Sequence, residues 1–453
     1  MIQALRQTQP GTLDPMFAED GVLDWQIPGI ASRAPQAVLS LADGKLIAVS
    51  RLSGFQSGFA VVRLTDKGAL DTGTGFGDGR GFVQISFADT HIEIIFGAAL
   101  LIDDGVLITC QYSNQSEASS GRALVRLLKD GRLDQGFGRG GAVFFNPLEG
   151  GTPEQTRNMR SRRAEQKSAE DTRAHRKLNG RSHACAGEQP DGKIVLITSA
   201  VDFSFGDFKG QLVRLNPDGS LDKTFNGTGS AFVELADVAE SYGRGLALQP
   251  DGKLVVFGDY REQGANGWYV TRFNAQGQQD AQFATLKMPD PQFALTVFDI
   301  SVRAKDGLIA LVGGVFEDFH TGVGMISLLN RDGTFNRVFN QGRPLYSKLT
   351  DMGQQWSRCA FGGDDGDRLI VAGTGGSEFL TAHTVAFTAR YLLTGALETT
   401  FANVGWAVFD DRNWLDVTSD MALTSDGRIV MCGEHYTGQE INPQAGWMLR
   451  YLT

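Results

Sequence analysis

Between Gly245 and Phe283 the chain reads GLALQPDGKLVVFGDYREQGANGWYVTRFNAQGQQDAQF. A short apolar run stops at Asp251-Gly252, and a second run, LVVFG, follows it. A polar stretch leads to a third run, WYVTRF, and then to a second polar turn ahead of Asp280 and Phe283. Brief apolar runs punctuated by Asp-Gly and similar dipeptides read as β-strands joined by tight turns. The first turn recurs at Asp43, Asp104, Asp191, Asp251, Asp306, Asp365 and Asp426, with spacings of 61, 87, 60, 55, 59 and 61 residues. A fixed period of that length marks a repeat architecture, in which each unit is one small sheet.

A second landmark keeps tighter register. An Arg near the end of the third run precedes an acid by eight residues in Arg63/Asp71, Arg126/Asp134, Arg214/Asp222, Arg272/Asp280 and Arg390/Glu398. The unit around Asp306 keeps the spacing but carries Leu328 and Asn336. Joint loss of both charges indicates that the side chains meet, because an orphaned buried charge is costly. A Phe follows three residues after the acid position at Phe137, Phe225, Phe283, Phe339 and Phe401, and slightly later at Phe76.

The last unit stops at Thr453 before any acid or Phe, and the missing piece stands at the other terminus as Asp14 to Phe17, followed by VLDWQI. The sequence therefore predicts an all-β, seven-bladed β-propeller of four-stranded blades, one domain over residues 1–453, with the N-terminal strand completing the last blade. Closure of that kind removes open sheet edges. The segments QPDGKIVLITSA, VRLNPDGSLDKTFNGTG and QPDGKLVVFG resemble the delta-60 repeat family of bacteria. The resemblance implies the same propeller fold, and no particular activity.

Composition changes the picture in one place. The 57 glycines suit many turns, and a formal net charge of −10 argues against general nucleic-acid binding. Yet Glu149 to Arg181 holds nine Lys/Arg against five Asp/Glu, a net of +4, which leaves −14 for the rest. This basic, helix-prone insertion at 149–182 accounts for the one long spacing. Its Arg157, Arg160, Arg162, Arg163, Arg173 and Arg176 are candidates for gripping an acidic partner. The plainer alternative is a solvated decoration of an interblade connection.

Candidate chemistry is sparse. No HExxH, GxSxG, phosphate loop or dinucleotide fingerprint occurs. The six histidines form no close pair, and no metal or cofactor is expected. The four cysteines and the Trp268/Trp447 pair sit at matching repeat positions, as core residues would. Seven residues before each turn Asp stand Gln36, Gly97, Ala184, Arg244, Asp299, Arg358 and Ser419. Arg244, Asp299 and Arg358 thus fall on neighbouring inner strands. They could hold an anion or sugar at the channel mouth, or form an ionic cluster that satisfies itself. The expected function is a non-catalytic scaffold for another protein. A small-molecule or carbohydrate-binding propeller and a propeller lyase or hydrolase are the alternatives. With no leader peptide or apolar spanning run, a monomeric, soluble and by default cytoplasmic protein is expected.

Overall fold

The computed structural model describes residues 9–52, 58–73, 75–114, 119–149, 185–203, 207–262, 265–289, 295–316, 322–376, 383–411, 415–437 and 443–453. Seven four-stranded antiparallel sheets form a ring, so the propeller is seven-bladed as expected. In blade four the strands run Glu240–Leu248, Leu254–Glu262, Ala265–Phe273 and Leu286–Pro289, from the inner wall outwards. The second and third strands are the most buried, because both faces pack against neighbouring blades. Val255, Val256 and Phe257 are fully covered, and adjacent side chains alternate between the clusters on either side of the blade. Trp268 and Trp447 are buried, as are all four cysteines.

Blade seven joins the two ends of the chain. The strand Val22–Asp24 pairs with Ala445–Tyr451, with Val22 opposite Leu449 and Asp24 opposite Trp447. Arg450 Nε donates to Asp14 at 2.8 Å, and its guanidinium lies 4.7 Å from the centre of the Phe17 ring. The Arg, acid and Phe spread over both termini therefore rebuild the landmark that the other blades, blade five excepted, draw from one continuous segment.

That landmark does more than fasten a blade to itself. Arg214 Nε donates to Asp222 at 2.7 Å, while Nη1 donates to the Ala275 carbonyl of blade four at 2.5 Å. Arg126 and Arg272 reach Pro217 and Arg331 of the following blades in the same way, at 2.7 and 2.6 Å. The lysine of the Asp-Gly-Lys turn joins the same acid: Lys45 to Asp71, Lys193 to Asp222 and Lys253 to Asp280, at 3.1, 2.9 and 2.9 Å. Blade five replaces all three charges, with buried Leu308 and Leu328 beside Asn336.

Beside these trios runs a ring of seven backbone hydrogen bonds of 2.7 to 3.0 Å, one across each interblade boundary. The residue after the landmark Phe donates to the turn of the next blade, from Asn226 to Gln276 and, across the final seam, from Ala18 to Lys67. The Phe itself lies beneath the glycine of that turn. A Cβ on Gly277 would come within 2.7 Å of the Phe225 ring, and its φ of +85° would also strain any other residue.

Candidate functional site in the inner wall of blades five to seven

The inner strands Ser32–Ser40, Thr90–Leu100, Glu240–Leu248, Leu295–Val302, Gln354–Gly362 and Leu415–Leu423 each carry a β-bulge before the same level of the wall. A bulge kinks the strand and re-aims the residue beyond it. That residue is Ala37, Gly97, Gly245, Asp299, Arg358 and Asp420 in blades one, two, four, five, six and seven, judged by its partner on the second strand. In blade three, Cys185 holds the level through its carbonyl, which accepts the Ile197 N–H at 2.8 Å. Small residues line four blades there, and Asp, Arg and Asp line the other three.

The structure thus brings Asp299 and Arg358 together and leaves Arg244 apart. Arg244 sits in the bulge itself, is half exposed, and pairs with Asp259 of its own blade. The third member of the cluster is Asp420, which counting from the turn misses by one residue. Paired positions across the bulge level are 13 residues apart in blade five and 14 in blade six, against 12 in blades four and seven. The longer turns of blades five and six shift the count.

Each member ties its blade to the next. Asp299 Oδ2 accepts the Cys359 N–H of blade six at 3.0 Å. Arg358 Nε donates to Asp420 of blade seven at 3.1 Å, and its terminal nitrogens donate to the carbonyls of Ser357 and Ser419. Asp420 Oδ2 accepts the Val38 N–H of blade one at 2.8 Å, and Gln36 Nε2 donates to Glu434 of blade seven at 3.1 Å. Asp299, Arg358 and Asp420 are 5, 3 and 5% exposed. Burial pushes Asp299 up to about 7 and Asp420 up to about 6, against the opposing pull of Arg358 and backbone N–H groups. The cluster is a strap across the inner wall, with its hydrogen-bonding capacity directed at neighbouring blades.

A second buried pair lies near the loop end of blade seven, where His435 Nδ1 stands 2.7 Å from Asp416 Oδ1. Burial raises the Asp416 carboxyl against the pull of His435. Sequence spacing gave no signal for this pair, since the residues are 19 apart and meet only as cross-strand neighbours. Among the described residues no group of three or more His, Cys, Asp or Glu is arranged to hold a metal ion, and no helix is long and apolar enough to cross a membrane.

Of the insertion at 149–182 only Glu149 is described; Arg157, Arg160, Arg162, Arg163, Arg173 and Arg176 lie outside the described residues. The residues on either side of it attach to blade three. The Pro147 carbonyl accepts the Val201 N–H at 2.9 Å, on the same edge of the strand Ile194–Asp202 where Ile197 meets Cys185. Leu148 packs on Val201 and Phe208. The chain therefore leaves and rejoins the inner wall of blade three, at levels four residues apart, or about 13 Å. Of the two attachment points, Pro147 lies nearer the end of the strand Ile194–Asp202 that leads into the connection to the third strand.

Two stretches, residues 189–225 and 249–283, match a family described as "Domain of unknown function (DUF5122) beta-propeller". They cover the turns and the Arg, acid and Phe landmark of blades three and four. The chain finds no match among curated proteins. Among solved structures, the polysaccharide lyase Uly1 is 10% identical, with 100% of this chain and 94% of that one covered at a TM-score of 0.47. A protein of unknown function from Dyadobacter fermentans DSM 18053 is 12% identical, with coverage of 80% and 96% and a TM-score of 0.43. Regucalcin, a calcium-binding protein from Agrobacterium tumefaciens str. C58, is 13% identical, with coverage of 79% and 86% and a TM-score of 0.31. At such identities and scores no functional residue carries over to this chain.

Proposed function

We propose that this propeller is a non-catalytic binding module that holds a partner protein at its loop face, with the basic insertion as the main contact. The observation that supports this most is the rooting of the insertion in the inner wall of blade three, between Pro147 and Cys185. An arm with a net charge of +4 starts at the rim of the channel, on a chain that is otherwise at −14. On the opposite face, turn carbonyls are engaged in the interblade ring and the lysines of several Asp-Gly-Lys turns in the charged trios. The partner surface that suits such an arm is acidic, because arginine forks match carboxylates in pairs. Of the other candidates for binding, Asp299 and Arg358 direct their polar atoms into the wall, and Arg244 pairs with Asp259 of its own blade.

The experiment compares the intact protein with a deletion of Pro153 to Asn179, measuring partner recovery and melting at low and moderate salt. Recovery should fall sharply on deletion and, for the intact protein, weaken as salt is added, since exposed charge contacts are screened. Melting should stay nearly unchanged. Recovery that survives the deletion would discard the reading.

A further inference from the structure

The inner-wall cluster holds more buried acids than bases. Asp299, Asp420 and Glu434 are all nearly inaccessible, and Arg358 is the guanidinium set between the two aspartates. A buried carboxylate that lacks a compensating charge takes up a proton more readily than it stays ionised.

The surrounding donors indicate which carboxylate does so. Asp420 accepts from Arg358 Nε at 3.1 Å, and from the backbone N–H groups of Val38 and Met421, both at 2.8 Å. Glu434 accepts from Gln36 at 3.1 Å and from the Tyr436 hydroxyl at 2.5 Å. Asp299 accepts from two backbone N–H groups, of Cys359 and Ile300. The groups facing it are Arg358 and Cys359 of blade six and Asp420 of blade seven. Of these the Cys359 thiol is kept neutral by burial, and Asp420 is a like charge.

We propose that Asp299 holds a proton in the folded protein below neutrality, and that the boundary between blades five and six is a proton-sensitive latch. When the proton leaves, a second buried negative charge forms beside Asp420 and shares the Arg358 guanidinium with it. The Asp299 side chain is also the strap to the Cys359 N–H, so the group that ionises sits in the interblade contact itself, where that hydrogen bond offsets only part of the cost of the buried charge.

The sign follows from linkage. A carboxyl raised above its unfolded value binds more protons in the fold than in the unfolded chain. Its contribution is therefore most favourable below about pH 4, declines up to about pH 7, and is constant above that. Relative to Asp299→Asn, the unfolding equilibrium constant of the unaltered protein should rise by up to about tenfold per pH unit across that window. Infrared spectra of the folded, unaltered protein should show a buried protonated carboxyl band at about pH 5.5 that is gone by about pH 9. Asp299→Asn should lose the part of the band that persists towards pH 7 and keep only the part that Asp420, raised to about 6, contributes. If Asp299→Asn does not fold, Asp420→Asn serves in its place: it frees Arg358 for Asp299, and the band should vanish at lower pH. Absence of the band from the unaltered protein, or parallel pH profiles for both proteins, would overturn the proposal.

Discussion

Arg214 shows how much one side chain carries in this fold. Its guanidinium serves Asp222, Thr224 and Gln189 in its own blade and Ala275 in the next, while lying 4.8 Å from the centre of the Phe225 ring. Replacing it by Leu strands Asp222, still held by Lys193, in a buried position, and should cost about 3–5 kcal/mol. Converting Lys193, Arg214 and Asp222 together to Leu, Leu and Asn should cost less than Arg214→Leu alone. Blade five already carries that combination as Leu308, Leu328 and Asn336, and apolar residues often replace a buried ionic group without loss. Denaturant unfolding of the single, double and triple variants checks this, with additive losses showing the three side chains uncoupled. Gly277→Ala is the steric counterpart. It forces a side chain against Phe225 at a positive φ, so a loss of at least about 1–3 kcal/mol is expected from the same measurement.

Among the strands, Val22–Asp24 contributes out of proportion to its length. It supplies the outer edge of blade seven, and the segment before it brings Asp14 and Phe17 to Arg450. Removing residues 1–28 should uncover the edge of Ala445–Tyr451 and leave Arg450 without its carboxylate, giving aggregation or a large fall in melting temperature. A monomeric truncation with unchanged melting would contradict the role assigned to this strand. The closure was legible in the chain because turn, acid and aromatic positions are local signals that recur at fixed offsets. The inner-wall cluster was legible only in part. Asp299 and Arg358 stood out as charges on apolar strands, but a bulge and a change in turn length moved the true register from Arg244 and Ser419 to Gly245 and Asp420. Such features leave little trace in one sequence, as do hydrogen bonds to backbone atoms of another blade.

For the molecule as a whole, two sets of carboxylates pull stability in opposite directions with pH. Burial raises Asp222, Asp280 and Glu398, but the cations and hydroxyls around them outweigh it and hold all three below the usual carboxylate range. What they contribute is complete above about pH 4 and drains away as the pH falls further. Asp299 acts on the other side, favouring the fold most at low pH. Melting followed from about pH 3 to pH 9 should therefore peak on the acid side of neutrality, and Asp299→Asn should move the peak upwards. The ring also has no required starting point. Gly11 N–H meets the Leu452 carbonyl at 2.8 Å and Leu452 N–H meets Thr12 at 2.9 Å, so a peptide of a few residues could join Thr453 to Gln9. New ends could then be opened in any loop between second and third strands. Such circular permutants keep every interblade bond, and their melting temperatures would rank the seven blades by how far each depends on an unbroken chain.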